Sequence, residues 1–128
     1  MTKRTMLDSD IVIDYLRRHP SAVNFVRGLN TRPLISAVTV GELYSGVKDG
    51  PERESLDRLA VAFRVIPVTR PIAVQGGSHR RKFRKSHNVQ LADALIAATA
   101  ESMQAELFTL NLKHYPMLAD VRAPYSKA

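Results

Sequence analysis

The chain of 128 residues contains no cysteine and no tryptophan. Without cysteine the protein has no disulfide bond, no thiolate metal ligand and no thiol redox chemistry, which is typical of a reducing cytoplasm. It also lacks any run of about 18 apolar residues, so we expect no membrane-spanning helix. Three acids, Asp8, Asp10 and Asp14, interrupt the apolar stretch that a signal peptide needs. We therefore expect a cytoplasmic protein with no membrane partner.

Acidic residues are in the minority: 12 Asp and Glu stand against 19 Lys and Arg, which gives a formal net charge of +7 at pH 7. Such an excess of positive charge favours polyanionic partners such as RNA or DNA, although charge alone does not identify the partner. Hydrophobic residues make up 45% of the chain, which is typical of a globular protein. We expect residues 1–128 to form a single domain with its own hydrophobic core.

Short apolar segments alternate along the chain with segments of helical periodicity. A helix that begins at Pro71 is expected to break at Gly76-Gly77. Strands and helices in alternation are joined by right-handed crossovers. The predicted fold class is therefore α/β, a three-layer α/β/α sandwich with a short, mostly parallel central sheet. The predicted strands lie at 5–7, 33–35, within 64–68, at 107–109 and near 121, and the other helices at 9–19, 21–28, 39–49, 52–63 and 91–105.

Three carboxylates lie among apolar residues, next to predicted strand ends or helix starts. Asp8 ends the first strand, Glu42 lies in the segment Val-Thr-Val-Gly-Glu-Leu, and Asp93 lies in Leu-Ala-Asp-Ala-Leu. A carboxylate in such surroundings loses hydration, and it is tolerated when it is hydrogen-bonded, paired or bound to a metal. In a parallel sheet the ligand site lies beyond the carboxyl ends of the strands, where these three residues are expected to meet.

Other acids have a cation three or four residues away, a spacing that predicts ion pairs on solvated helix faces. These pairs are Asp14 with Arg17 and Arg18, Glu54 with Arg58, and Asp57 with Arg53.

Each of the three carboxylates also has a structural interpretation. Thr39 and Glu42 have the spacing of a capping box. Asp93 lies where a carboxylate interacts favourably with the helix dipole, and Asp8 is suited to cap a helix, as are the two residues after it. The functional interpretation rests on the three together, since all of them are expected at one edge of the sheet.

Three carboxylates that converge on one cleft repel one another unless a cation is present, and Mg²⁺ or Mn²⁺ prefers oxygen ligands of this kind. Such ions activate water and stabilise the charge that develops in phosphodiester hydrolysis. A basic segment after Pro71 is suited to bind the phosphate backbone of an RNA substrate. Its cations are Arg80, Arg81, Lys82, Arg84 and Lys85.

Four segments in this order and spacing resemble the PIN-domain family, and within it the VapC-type toxins of prokaryotic toxin–antitoxin pairs. Each segment is a weak motif alone, but four in register from Met6 to about Pro116 make a specific match. The segments are Met-Leu-Asp-Ser-Asp-Ile-Val-Ile-Asp at 6–14, Thr-Val-Gly-Glu-Leu at 39–43, Leu-Ala-Asp-Ala-Leu-Ile-Ala-Ala-Thr-Ala at 91–100 and Phe-Thr-Leu-Asn at 108–111.

The resemblance implies a metal-dependent endoribonuclease that forms a homodimer and is neutralised by a small antitoxin protein. Asp8, Glu42 and Asp93 take the acidic positions of the family. The family often has a fourth acid where this chain has Asn111. A neutral amide can still bind metal or water through its oxygen but brings less negative charge, which leaves the number of ions, one or two, open.

The resemblance also places Ser9 and Thr39 as groups that orient the ligands. His79 and His87 are interpreted as surface residues, because no zinc-binding spacing accompanies them. Tyr44 and Tyr115 are interpreted as packing residues rather than platforms for base stacking.

Two enzyme-like alternatives start from Asp8 and Asp10. One is a haloacid-dehalogenase-type phosphatase with Asp8 as nucleophile, but no later acidic pair of that family follows. The other is a receiver domain with Lys113 as its lysine, but the third strand carries no phosphoacceptor Asp. A further alternative is a noncatalytic module that keeps the PIN fold and binds RNA or an antitoxin, which the neutral Asn111 would favour.

Overall fold

The structure, a computed structural model, describes residues 3–127. Within that range it contains five strands, six α-helices and one short 3-10 helix at Leu112–His114. The strands are β1 (Arg4–Leu7), β2 (Leu34–Ser36), β3 (Arg64–Ile66), β4 (Ala105–Phe108) and β5 (Val121–Arg122). The helices are α1 (Ser9–Leu16), α2 (Pro20–Arg27), α3 (Ala37–Gly46), α4 (Pro51–Ala62), α5 (Arg70–His87) and α6 (Leu91–Ser102).

The strands form one parallel sheet in the order β3-β2-β1-β4-β5. Successive residues of the central strands bury their side chains on opposite faces, because side chains alternate along a strand. Met6 and Leu107 belong to the core that packs against α6, whereas Leu7 and Phe108 belong to the core that packs against α1, α3 and α4. The predicted α/β/α sandwich is therefore confirmed. No helix within residues 3–127 has the length and apolar character needed to cross a membrane.

The predicted elements are confirmed, with shifts of a few residues at their ends. The helix of 91–105 ends at Ser102, because Ala105 already pairs with Arg4 in the sheet. Helix α2 begins at Pro20, one residue before its predicted start. The expectation of a single domain covers residues 1–128, of which 1, 2 and 128 lie outside the described range, and it stays a prediction.

The predicted break at Gly76-Gly77 is wrong, since α5 is continuous from Arg70 to His87. Gly76 lies against α6, where a Cβ atom would be 2.6 Å from Leu95 Cδ2 and 3.2 Å from Leu95 Cα. A Cβ at Gly77 would meet nothing within 4 Å. The glycine at 76 therefore permits two helices to pack closely, and this packing holds the helix together despite its low propensity.

Candidate metal-binding active site

Asp8 lies directly after β1, caps α1 and is only 6% exposed. Its Oδ1 accepts a hydrogen bond from the Ser9 backbone N–H at 2.8 Å. Its Oδ2 accepts two hydrogen bonds, from the Thr109 hydroxyl at 2.8 Å and from the Tyr115 hydroxyl at 2.9 Å. The carboxylate is thus held on both oxygens at the carboxyl end of the sheet, where the sequence predicts the site.

Asp93 lies in the first turn of α6 and faces Asp8 across the Tyr115 hydroxyl, which is 3.4 Å from Asp93 Oδ1. Its Oδ2 is 3.4 Å from Nδ1 of His114. Burial raises the pKa of Asp93, the negative charges of Asp8 and Glu42 raise it further, and His114 opposes them. Asp8 and Glu42 therefore both lie close enough to Asp93 for their charges to disfavour its ionised form.

Glu42 is exposed on α3, and its Oε1 accepts a hydrogen bond from the Ser9 hydroxyl at 2.6 Å. The capping-box interpretation is wrong, because Ser36 caps α3 through the Val38 N–H and Thr39 lies inside the helix. Glu42 is thus free of a capping role. Ser9 contacts a predicted ligand as expected, whereas the buried Thr39 hydroxyl has no hydrogen-bond partner within residues 3–127.

Asp10 is a fourth carboxylate at this site, and sequence reasoning considered it only as a helix cap or in the alternative families. Its Oδ2 accepts hydrogen bonds from the Leu110 N–H at 2.7 Å, the Asn111 amide at 3.2 Å and the Thr109 hydroxyl at 3.4 Å. Burial and the neighbouring charge of Asp8 raise the pKa of Asp10 to about 6, although hydrogen bonds from the Leu110 and Ile11 N–H groups and from the Thr109 hydroxyl lower it. The signal in the sequence was the Asp-Ser-Asp spacing at the end of β1.

Tyr115 was interpreted as a packing residue, and that is only half of its role. Its ring lies in the core beside α6 and the residue is 1% exposed, but its hydroxyl projects between Asp8 and Asp93. Burial, followed by the charges of Asp8 and Asp93, raises the pKa of Tyr115 far above its ordinary value, so the phenol remains a donor. A buried tyrosine needs a partner for its hydroxyl, and this requirement could have indicated a polar site nearby.

The PIN-domain family matches residues 5–116 of the chain. This chain belongs to the PIN-domain family. Ribonuclease VapC10 of Mycobacterium tuberculosis is 40% identical over 124 residues, 94% of this chain and 92% of that protein. Ribonuclease VapC19 of the same organism is 36% identical over 94% of this chain and 98% of that protein. A chain of a toxin–antitoxin complex from Klebsiella pneumoniae has a TM-score of 0.84 and 25% identity, covering 96% of this chain and 99% of its own length.

Membership in the PIN-domain family confirms the resemblance and excludes the phosphatase and receiver-domain alternatives. Both alternatives predicted that Asp10 matters as much as Asp8. In this PIN domain the two carboxylates have different surroundings. Asp8 accepts hydrogen bonds from the hydroxyl groups of Thr109 and Tyr115, whereas Asp10 connects α1 to the segment after β4 through Leu110 and Asn111.

The interpretation of Asp14 as a solvated surface acid is wrong. Its side chain is 9% exposed, and it accepts hydrogen bonds from the Tyr125 hydroxyl at 2.8 Å and the Lys127 ammonium at 2.9 Å. The partners thus come from the C-terminal segment rather than from the helix. Of the other predicted pairs, Asp57–Arg53 is present at 3.3 Å. No ion pair joins Glu54 to Arg58 in the part of the chain that the structure describes, where Arg58 donates to Ser55 instead.

The cations of the basic segment lie in the C-terminal half of α5, and all except the half-buried Arg80 are exposed. None of them forms an ion pair with a residue of the range 3–127. The interpretation of His79 as a surface residue is wrong, because its side chain is 11% exposed and hydrogen-bonded to Glu101 on α6. His87 is exposed as predicted, and Tyr44 donates to Asp57.

The carboxylates are not arranged as a ready-made metal site: within residues 3–127 no three His, Asp, Glu or Cys side chains stand together as metal ligands. Hydrogen bonds draw Asp8 toward Tyr115 and Glu42 toward Ser9. The chemistry of the donor set nevertheless fits a hard divalent cation, because the donors are carboxylate oxygens whose mutual repulsion a cation would relieve.

Proposed function

We propose that this PIN-domain protein is the toxin of a toxin–antitoxin pair and acts as a divalent-metal-dependent endoribonuclease. The observation that carries the proposal is the pair Asp8 and Asp93, which contact the same Tyr115 hydroxyl at the carboxyl edge of the sheet, with Glu42 near enough for its charge to raise the pKa of Asp93. The relatives named ribonucleases match over almost the whole chain, which supports RNA as the substrate class. The substrate bond is the RNA phosphodiester.

Asp8, Asp93 and Glu42 are the residues that would hold Mg²⁺ or Mn²⁺. When bound, such an ion activates water and stabilises the negative charge that develops at the phosphate. The hydroxyl donors on Asp8 keep it in place, and Ser9 orients Glu42. Asn111 borders this set, and because its amide nitrogen donates to Asp10, its oxygen is the atom left to bind metal or water.

The basic half of α5 is the proposed binding surface for the RNA backbone. Its cations lie on one helix, and none is neutralised by an acid of the described residues, so they are available for phosphate groups. These cations are Arg80, Arg81, Lys82, Arg84 and Lys85. Phosphate contacts of this kind position the substrate without reading its sequence.

Cleavage of a structured RNA by the purified protein in Mg²⁺ or Mn²⁺ tests the function. We expect wild type to cleave, Asp8→Asn and Asp93→Asn to lose nearly all activity, and EDTA to abolish cleavage. Asp57→Asn is the matched control, because Asp57 is an exposed carboxylate paired with Arg53 outside the site. Equal cleavage by wild type and both site variants would contradict the assignment.

An antitoxin partner and a homodimer complete the proposal. The partner is supported by the Klebsiella pneumoniae neighbour, which belongs to a toxin–antitoxin complex. Light scattering of the protein alone shows whether it is a homodimer. Light scattering after coexpression with the product of an adjacent small reading frame shows whether that product binds it. A monomer that binds no such product would contradict both expectations.

The second candidate is a noncatalytic PIN-fold module that binds RNA or an antitoxin. The neutral Asn111 and the lack of a ready-made three-ligand group within residues 3–127 favour it. RNA binding without cleavage in either metal, at protein concentrations that saturate the RNA, would establish this candidate in place of the nuclease.

A further inference from the structure

Tyr115 joins two carboxylates that would otherwise repel each other directly. We propose that its hydroxyl is a positioning group for the metal-binding carboxylates Asp8 and Asp93, an inference that rests on the proposed metal-dependent function. The hydroxyl is 2.9 Å from Asp8 Oδ2 and 3.4 Å from Asp93 Oδ1. One phenol thus contacts an acid that follows β1 and an acid that begins α6.

The position of this hydroxyl is fixed by the packing of its ring. The residue is 1% exposed and belongs to the core cluster that includes Met6, Ile96 and Leu107. The backbone N–H of Tyr115 also donates to Leu112 O at 3.0 Å, at the end of the 3-10 helix. A ring packed on several sides leaves its hydroxyl little freedom, so the phenol offers the carboxylates a donor at a fixed position.

The phenol has a single hydrogen, which it can donate to either carboxylate but to only one at a time, and the shorter distance makes Asp8 its main acceptor. Oδ2 of Asp8 then accepts two hydroxyl groups, those of Thr109 and Tyr115, which together fix the plane of the carboxylate. Asp93 Oδ1 lies against the same phenol oxygen at the longer distance. Partners of this kind set the orientation of metal ligands and thereby their affinity for the ion.

The test is Tyr115→Phe, which keeps the ring in the core and removes only the hydroxyl. We expect its dissociation constant for Mn²⁺, measured by electron paramagnetic resonance on the full-length protein without RNA, to rise about 10- to 100-fold. The Mn²⁺ concentration for half-maximal RNA cleavage should rise in parallel. Saturating Mn²⁺ should restore most of the wild-type rate, because the variant keeps all of the ligands.

Tyr125→Phe is the matched control, because it also removes a phenol that donates to a buried carboxylate, Asp14 at 2.8 Å, outside this site. It should leave Mn²⁺ binding unchanged, and thermal melts should show both variants folded. If Tyr115→Phe binds Mn²⁺ as tightly as wild type, or if both variants weaken binding equally, the positioning role is overturned while the nuclease assignment stands. A wild-type protein that binds no Mn²⁺ would overturn both proposals.

Discussion

The side-chain amide of Asn111 donates a hydrogen bond to Oδ2 of Asp10 at 3.2 Å. The family often has an acid at this position, whereas this chain has Asn111, whose amide faces the carboxylate of Asp10 on α1. A carboxylate at position 111 would lose the donor and face Asp10 with like charge.

Asn111→Asp should therefore destabilise the metal-free protein, by about 1–3 kcal/mol in the free energy of unfolding at pH 8. The reason is that two carboxylates would share a site built for a carboxylate and an amide. Urea unfolding monitored by circular dichroism measures the change.

The double variant Asp10→Asn with Asn111→Asp exchanges the two groups and should recover most of the stability that Asn111→Asp removes. A double variant no more stable than Asn111→Asp alone would contradict the interpretation of this pair.

The two adjacent glycines of α5 should respond in opposite directions to alanine. Gly76→Ala brings a Cβ to 2.6 Å from Leu95 Cδ2 and is expected to cost about 1–3 kcal/mol through overpacking. Gly77→Ala has open space and should stabilise the helix by roughly 0.5–1 kcal/mol. Melting temperatures of the two variants test this, and a lower value for Gly77→Ala would contradict it.

Asp14 should make the stability of the fold depend on pH in the acidic range. Burial opposes its charge, but the hydrogen bonds from Lys127 and Tyr125, together with the positive charges of Lys127 and His19, outweigh burial and lower the pKa of Asp14. A carboxyl whose pKa is lower in the folded state stabilises the fold above its unfolded-state pKa, and this contribution is lost as the pH falls through the folded-state pKa.

Wild type should therefore exceed Asp14→Asn in stability by a constant amount near neutral pH, and the difference should shrink below about pH 4. Urea midpoints at pH 7, 5 and 3 give the comparison. A difference that stays the same from pH 7 to pH 3 would show that the charge of Asp14 contributes nothing.

The basic half of α5 is expected to contribute to RNA binding in a salt-dependent way. The triple variant Arg81→Ala, Arg84→Ala and Lys85→Ala should weaken binding to single-stranded RNA. It should reduce the slope of log K against log salt by about 0.7 for each phosphate group that the variant no longer neutralises. Filter binding from 50 to 200 mM salt with an Asp8→Asn background, which prevents cleavage, measures both quantities.

The charge-matched control replaces three exposed cations outside α5, Arg27, Lys48 and Arg64, by alanine. This control lowers the net charge by the same amount as the α5 triple variant. It should reduce the slope of log K against log salt by less than that variant does. Equal slopes for the two triple variants would indicate a general charge effect instead of a binding surface on α5.

The sheet and most helices were predictable because each strand is a short apolar run and each helix has its own periodicity. Glu42 and Asp93 stand out in the sequence because each is an acid among apolar neighbours without a cation within four residues, whereas Asp8 stands out because it ends an apolar strand. Asp14 was misjudged because Arg17 and Arg18 are near in sequence, whereas its actual partners, Tyr125 and Lys127, are distant.

Tyr115 and Asp10 were missed for a related reason. The contact of Tyr115 with Asp8 spans 107 positions, and that of Asn111 with Asp10 spans 101. No short-range pattern encodes which oxygen a distant hydroxyl or amide will reach. Such pairings follow only from the register of β1 beside β4, which sets Leu7 opposite Phe108.

The pairing of β1 with β4 also determines when the site can form during synthesis of the chain. Asp8, which follows β1, and Glu42 of α3 are synthesised early, but Thr109 and Tyr115, which hold Asp8, come from the last fifth of the sequence. A nascent chain still short of β4 has the acids without the hydroxyl groups that align them. The site proposed for RNA cleavage therefore cannot be assembled until synthesis of the chain is nearly finished.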